Sequence, residues 1–346
     1  MRMSAVAASA VIVLTFTLAQ TPVRADEDLF HGHPIAVLIG AGPAGGYDVS
    51  ARLFARHYGR FLPGNPTVIP KNVPGAGGVR LANQIYNVSP KDGTELGLFA
   101  TSAALEPLLG NKQAKYETDK FTWIGNMDSD SADGCGTWRH SGIKTWEDVK
   151  NRETTFGASG PAAVAAINPK MIAALLGLKT KVIVGYTSTH NVIAAAQRGE
   201  LDGSCALNLR ATYSEFREQI ESGELTMWIT FGEKRSKEFF PNTPTIHELV
   251  QGDENRELAD LIFGQNKINR AISGPPGMDA EHTTALRDAF MATMADKTFL
   301  EEAAKANVTI HPMTGEDTRA AYQAFYDQPK TVVARAMEII GRTAEP

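Results

Sequence analysis

The 346-residue chain has only two cysteines, Cys135 and Cys205, and neither falls in a CxxC or Cys/His cluster. That scarcity leaves no thiolate metal site to be read from spacing. Its eight histidines are scattered apart from His31-Gly32-His33, which suits a chain end better than a metal site. Positive charge is not in surplus: 34 Lys and Arg stand against 39 Asp and Glu, a net of −5. This argues against nucleic acid or anionic membrane as the main partner, because both select basic patches. It does not exclude an anionic small molecule, since the field of a pocket can differ from the net charge. There is no sequence repeat and no low-complexity tract.

Long apolar runs are also lacking, with one exception at the start. Ser4 to Leu18 is almost unbroken and follows the positive Arg2. Val23-Arg24-Ala25 then supplies small residues before Asp26-Glu27-Asp28. That order of charge, apolar core and small-residue site is a secretory signal, expected to be cleaved after Ala25. The run falls short of the roughly 20 residues of a membrane span. The mature protein is therefore expected to be soluble and periplasmic. Removing residues 1–25 takes away Arg2 and Arg24 and leaves 32 basic against 39 acidic residues, a net of −7. In an exported chain Cys135 and Cys205 read first as one structural disulfide, with two buried thiols as the alternative.

What remains alternates short β-rich runs with helical stretches, the pattern of mostly parallel sheets covered by helices. Strands are expected at Pro34 to Gly40, Thr67 to Ile69 and Glu95 to Phe99. A second set falls at Cys135 to Arg139, Thr154 to Phe156, Lys181 to Val184, Gly203 to Leu207 and Thr226 to Thr230, and one more at Lys267 to Ser273. Val49, Leu53, Phe54, Tyr58, Phe61 and Leu62 share one face of a helix over 48–62. Further helices are expected over 79–86, from Asn168-Pro169, over 191–198 and over 211–222. Capping signals at Thr245 and Thr314 open two more, the second running into the C-terminal stretch.

Gly40-Ala41-Gly42-Pro43-Ala44-Gly45 fits G-x-G-x-x-G between a strand and a helix. A dinucleotide site would also need an acidic residue about 20 positions on. That neighbourhood is Leu62-Pro63-Gly64-Asn65, and the leader lacks twin arginines, so no cofactor is expected. The same turn still presents backbone N–H groups at a helix N-terminus, where a carboxylate is favoured. A tight structural turn is the plainer alternative. Gly157-Ala158-Ser159-Gly160-Pro161 misses G-x-S-x-G at its last position, and no Asp and His partners stand out for a serine hydrolase. Arg52, Arg56 and Arg60 recur every four residues, as a solvated face or a docking patch.

Pro43-Ala44-Gly45-Gly46-Tyr47-Asp48 followed by Ala51-Arg52-Leu53 resembles the first loop and helix of tripartite tricarboxylate transporter substrate-binding receptors, the Bug-type solute-binding proteins. Asn72 to Gly78, Pro90 to Thr94, Gly185-Tyr186, Arg198 to Gly203, Pro241 to Thr245 and Ser273 to Gly277 resemble that family's later segments, in the same order. The resemblance covers nearly the whole mature chain. It implies an α/β, two-lobed type II periplasmic-binding fold, a clamshell in which each lobe is a mostly parallel sheet flanked by helices. It also implies an organic carboxylate as ligand, delivery to a large and a small membrane subunit, and no enzymatic activity. A ligand sensor that presents its closed form to a signalling partner would use the same clamshell.

By that resemblance residues 26–131 and 270–325 form lobe 1, residues 132–269 form lobe 2, and residues 326–346 cross between them. The expected ligand set is Gly45, Gly46, Tyr47, Asp48, Thr101 and Ser102 in lobe 1. In lobe 2 it is Ser159, Gly160, Tyr186, Thr187, Ser188, Thr189 and Asn208. Asp48 has a second reading as a first-turn acid that steadies the helix dipole. The type II topology also places Cys135 and Cys205 on neighbouring antiparallel strands, where a disulfide is feasible within about 7 Å between Cα atoms. A monomer is expected, with no metal. Ala162-Ala163-Val164 is more apolar than the family's loop of glycine with Ser or Thr, and Tyr186-Thr187-Ser188-Thr189-His190 replaces a turn often rich in proline and glycine; both departures bear on ligand identity rather than fold.

Overall fold

The computed structural model describes residues 29, 30 and 32–342. The leader read over 1–25 lies outside the described residues. The chain first lays down β1 (Ile35–Ile39), α1 (Gly46–Tyr58), β2 (Val68–Asn72), α2 (Val79–Asn87), β3 (Glu95–Leu98), α3 (Thr101–Leu105) and β4 (Thr122–Asp128). It then crosses into β5 (Asp133–Trp138), α4 (Trp146–Lys150), β6 (Glu153–Ala158), α5 (Val164–Leu176), β7 (Lys179–Val184), α6 (Thr189–Gln197) and β8 (Gly203–Asn208). That half ends with α7 (Leu209–Glu215), α8 (Arg217–Glu221), β9 (Leu225–Thr230), α9 (Ile246–Leu249) and α10 (Asp253–Phe263). The return leg is β10 (Asn269–Gly274), α11 (Ala280–Ala295), α12 (Lys297–Lys305), β11 (Met313–Thr314), α13 (Gly315–Tyr326) and α14 (Lys330–Ile339).

Two sheets result, ordered β11-β4-β10-β3-β1-β2 and β7-β6-β8-β5-β9. Each has a parallel core, with one antiparallel strand inserted beside the third strand of its set: β10 next to β3, and β5 next to β8. Those two inserted strands are the ones that arrive from the other half. This is the type II periplasmic-binding arrangement, and it makes the fold two-lobed. β1 is buried at all five positions, as a central strand covered on both faces must be. Edge strand β2 alternates half-buried and exposed instead.

Cys135 lies in a bulge of β5 opposite β8, where the pairing shifts between Gly134 and Gly136. It is bonded to Cys205, with the Cα atoms 3.9 Å apart and 70 residues of chain enclosed. The cross-strand disulfide expected from the topology is therefore present.

Three local expectations fail. The helix placed at Asn168-Pro169 begins at Val164, so Pro169 is internal and Asn168 caps nothing; its amide donates to the Cys205 carbonyl at 2.9 Å. A proline this close to a helix start removes one intrahelical bond without breaking the helix, because burial against β6, β7 and β8 outweighs the loss. The helix over 211–222 is two short ones, broken at Phe216, whose backbone leaves helical geometry as its side chain enters the second core. The C-terminal stretch is also split, at Gln328-Pro329, into α13 and α14. The sequence pattern predicts no strand over 122–128, where β4 runs. α13 lies along β4, with Tyr322 stacked on Trp123 at 4.4 Å. α14 packs on α10 and α5, and beyond it Arg342 returns to the buried Glu106 at 2.7 Å. Among the described residues no helix is long and apolar enough to cross a membrane.

Candidate functional site

The turn that opens α1 is built by side chains. Asp48 is nearly buried and takes Ala44 N–H at 2.9 Å, Asn72 Nδ2 at 2.8 Å, and Arg52 Nε at 2.9 and 3.0 Å on its two oxygens. Asn72 also donates to the Ala41 carbonyl at 3.0 Å and accepts Arg52 Nη2 at 2.8 Å. Burial alone would raise the Asp48 carboxyl, but the bonds from Arg52, Ala44 and Asn72 outweigh it and hold the group below the usual carboxylate range. Asp48 thus spends its oxygens on fixing the turn to β2. The amides of Gly45, Gly46, Tyr47 and Asp48 itself donate to no acceptor among the described residues, as the first turn of a helix leaves them free.

Across from this turn stands the second lobe. A Cβ added at Gly77 would sit 3.3 Å from the Ala162 carbonyl oxygen, and one at Gly42 would sit 3.8 Å from that of Thr187. Gly77 also holds φ at +65°, so only glycine combines that backbone with so close an approach. Both glycine turns of the first lobe therefore meet second-lobe loops at van der Waals range. The opposing turn, 159–163, leads into α5 and is closed by main chain only, Ala163 N–H to Gly160 O at 3.1 Å.

The sequence candidates fall on both lobes. Gly45, Gly46 and Tyr47 open α1 next to Gly42, the residue of that turn that lies near Thr187. Ser159 and Gly160 belong to the facing turn, and Thr187, Ser188 and Thr189 lie where α6 begins. Ser188 caps α6 through Asn191 N–H at 3.3 Å, and the Thr187 hydroxyl accepts Asn191 Nδ2 at 2.5 Å. Thr101 donates its hydroxyl to the Ile268 carbonyl and its N–H to the Tyr47 hydroxyl at 3.5 Å. Ser102 is buried, and its hydroxyl has no partner among the described residues. The Tyr186 ring packs on the second core against Gly157. Asn208 caps α7 through Ala211 N–H at 3.1 Å and donates to Ser131 at 2.8 Å, so it ties strand to crossing.

Residues that the sequence reading does not single out occupy the floor between the lobes. Arg270, on the returning crossing, lays its guanidinium 5.7 Å from the Tyr47 ring centroid, and its Nη1 is 3.8 Å from Asp128 on β4. Asn269 donates to Ser131 at 2.8 Å, linking the two crossings directly. Burial raises the carboxyls of Asp128 and Asp133 above the usual range, and Arg270 opposes this in both. Burial likewise raises the Tyr47 hydroxyl against the pull of Arg270, which keeps it a neutral donor. A charged residue in the middle of the strand-like 267–273 run was the available signal for Arg270. Asp128 had none once β4 went unrecognised. A separate cavity of about 880 Å³ is bordered by Ser131, Asn208, Lys234, Ile268 and Phe325; it shares only Asn208 with the expected ligand set. Gly45, Gly46, Tyr47 and Asp48, which carry the free amides, do not border this cavity. Among the described residues no group of three or more His, Cys, Asp or Glu could hold a metal.

The arginine row on α1 and the turn just after it is fully engaged: Arg52 with Asp48, Arg56 with Glu302 and Arg60 with Asp296.

No protein-family model matches the chain. It is 26% identical over 306 residues to the "UPF0065 protein in gbd 5'region" of Cupriavidus necator, covering 86% of each sequence. Its structure resembles the periplasmic binding protein BugD, with a TM-score of 0.66 at 19% identity over 88% of this chain and 97% of that one. It also resembles MatC from Rhodopseudomonas palustris with bound malate, with a TM-score of 0.64 at 16% identity over 89% and 99%. With two lobes in type II order, the chain is similar in sequence to a UPF0065 protein and shares the fold of the periplasmic binding protein BugD.

Proposed function

We propose that the protein captures a small organic carboxylate between its lobes and delivers it to the membrane subunits of a tripartite tricarboxylate-type transporter. It would act in the periplasm, as a monomer, after removal of residues 1–25. The observation that supports this reading is the set of unpartnered amides at Gly45, Gly46 and Tyr47, in a turn whose Gly42 comes within van der Waals range of Thr187 in the second lobe. Helix N-termini of this kind favour anions, and neutral donors suit a carboxylate that must be released again. Residues 26–131 with 270–325, and 132–269, are the two moving bodies, and residues 326–346 link them. Contacts available only in the closed form shift an open–closed equilibrium, and the transporter reads the closed shape.

A thermal-shift screen tests the proposal with malate, adipate, citrate, benzoate and an uncharged sugar. A true ligand at a hundredfold over its Kd stabilises by about 2.7 kcal/mol. Stabilisation by the sugar alone would overturn the carboxylate assignment.

A further inference from the structure

Arg270 is unusual in three independent ways. Its backbone stands at φ +70°, a left-handed conformation that residues other than glycine seldom adopt, and does so inside a strand. Its side chain is 14% exposed, and its Nε is fully shielded with no hydrogen-bond partner. None of its five N–H donors makes a hydrogen bond to any described residue. The nearest acid, Asp128, is 3.8 Å from Nη1, beyond hydrogen-bond range.

The flanking acids are occupied elsewhere. Asp128 accepts Asp130 N–H at 3.2 Å and lies 3.7 Å from His311, and Asp133 lies 3.5 Å from Asn208 Nδ2. They offset the charge of a buried cation, whose burial would otherwise be costly, while leaving its donor fork unused. That fork lies against the first turn of α1. A Cβ at Gly46 would meet Arg270 Nη2 at 3.2 Å. A planar guanidinium with parallel N–H groups matches the two oxygens of a carboxylate better than any other side chain does.

We propose that Arg270 is the specificity-determining residue of the cleft, its guanidinium receiving a ligand carboxylate that also rests on the free amides of Gly46 and Tyr47. This deepens the carboxylate reading above and rests on it. The ligand is then bound by a full positive charge as well as by main-chain dipoles, and it must be ionised. Uncharged analogues of the same shape are rejected, because they would leave the arginine buried with unused donors.

The test uses the mature protein with malate and adipate as probes and malamide as the uncharged control, read by calorimetry and by the Arg270 Nε–Hε resonance. Expected are a shift of that resonance on adding the bound acid, an affinity loss of at least about 30-fold in Arg270→Gln, and a smaller loss in Arg270→Lys. Truncating one side of a buried, hydrogen-bonded charge pair costs on that scale. If an acid binds the wild type while the resonance stays put and Arg270→Gln binds equally well, Arg270 is not the anchor and the carboxylate reading survives. If neither acid binds the wild type, or malamide binds as tightly as malate, the carboxylate reading fails and takes this inference with it. Should Arg270→Gln fail to fold, the wild-type resonance and Arg270→Lys decide the matter.

Discussion

The turn that opens α1 in the first lobe is held by three interlocked side chains, Asp48, Arg52 and Asn72, whereas the turn that opens α5 in the second receives no side-chain hydrogen bond across 159–165 among the described residues. The two sheets share one strand order apart from the extra edge strand β11 of the first, so topology does not explain the contrast. What differs is where each lobe spends its bracing. The second lobe is stapled covalently at its incoming strand by Cys135–Cys205 and leaves its facing turn to main chain and to exposed Ser159. The first lobe has no covalent staple in its sheet and fixes the turn itself. A lobe with a rigid, positively polarised turn can hold an anion in the open state, and a softer partner can close over it.

The largest effect expected from this comparison is on the second lobe. Replacing Cys135 and Cys205 together by alanine frees a 70-residue loop, and the chain-entropy relation puts the loss near about 4 kcal/mol. Urea unfolding of the double variant measures it. A loss below about 1 kcal/mol would mean the second lobe is held by packing alone. Next comes Asp48→Ala, which strips the Ala44 amide, Asn72 and Arg52 of their shared acceptor. About 2–3 kcal/mol of stability should go, while Ser159→Ala in the facing turn stays within about 0.5 kcal/mol. Equal effects at the two turns would erase the contrast.

A smaller effect is expected at Gly77→Ala. The new Cβ must take φ +65° and press on the Ala162 carbonyl, costing about 1–2 kcal/mol, mostly of the closed form. A ligand affinity unchanged in this variant would argue that closure does not bring these turns together. The smallest effect concerns acid. The folded-state pKa of Asp48 is lowered, so its stabilisation is present above the ordinary 3.8 and fades as pH falls through the folded value. Asp128 faces Arg270, Asp130, His311 and Asn269, and its pKa is raised, so its stability contribution declines as pH rises above 3.8. Denaturation from pH 3 to 6 should therefore show opposite slopes for wild type minus Asp48→Asn and wild type minus Asp128→Asn.

Much of this was legible from local pattern. The all-apolar run at 35–39 could only be a covered strand, and the glycine turn followed by a one-faced apolar helix announced α1. β4 was not legible, because Gly125 and the polar Asn126 and Asp128 interrupt its apolar residues; only its neighbours β10 and β11 make it a central strand. The start of α5 was misplaced because Pro169 looks like a first-turn residue until packing against three strands overrides it. Arg270 read as part of an ordinary strand, since nothing nearby in sequence shows that the chain returns beside Tyr47.

Local chemistry by itself determined the alternation of strands and helices and the glycine turns, because each depends on residues a few positions apart or on side-chain size and polarity. The tertiary structure alone decided that Asp48 is consumed in bracing and that Gly77 meets Ala162. It also decided that a buried arginine from residue 270 stands over a turn at residues 45–47. The first comes from the pairing of β1 with β2 and the other two from the chain crossings that bring distant segments together; the placement of a charge across such a distance is written in packing rather than in any local run of residues.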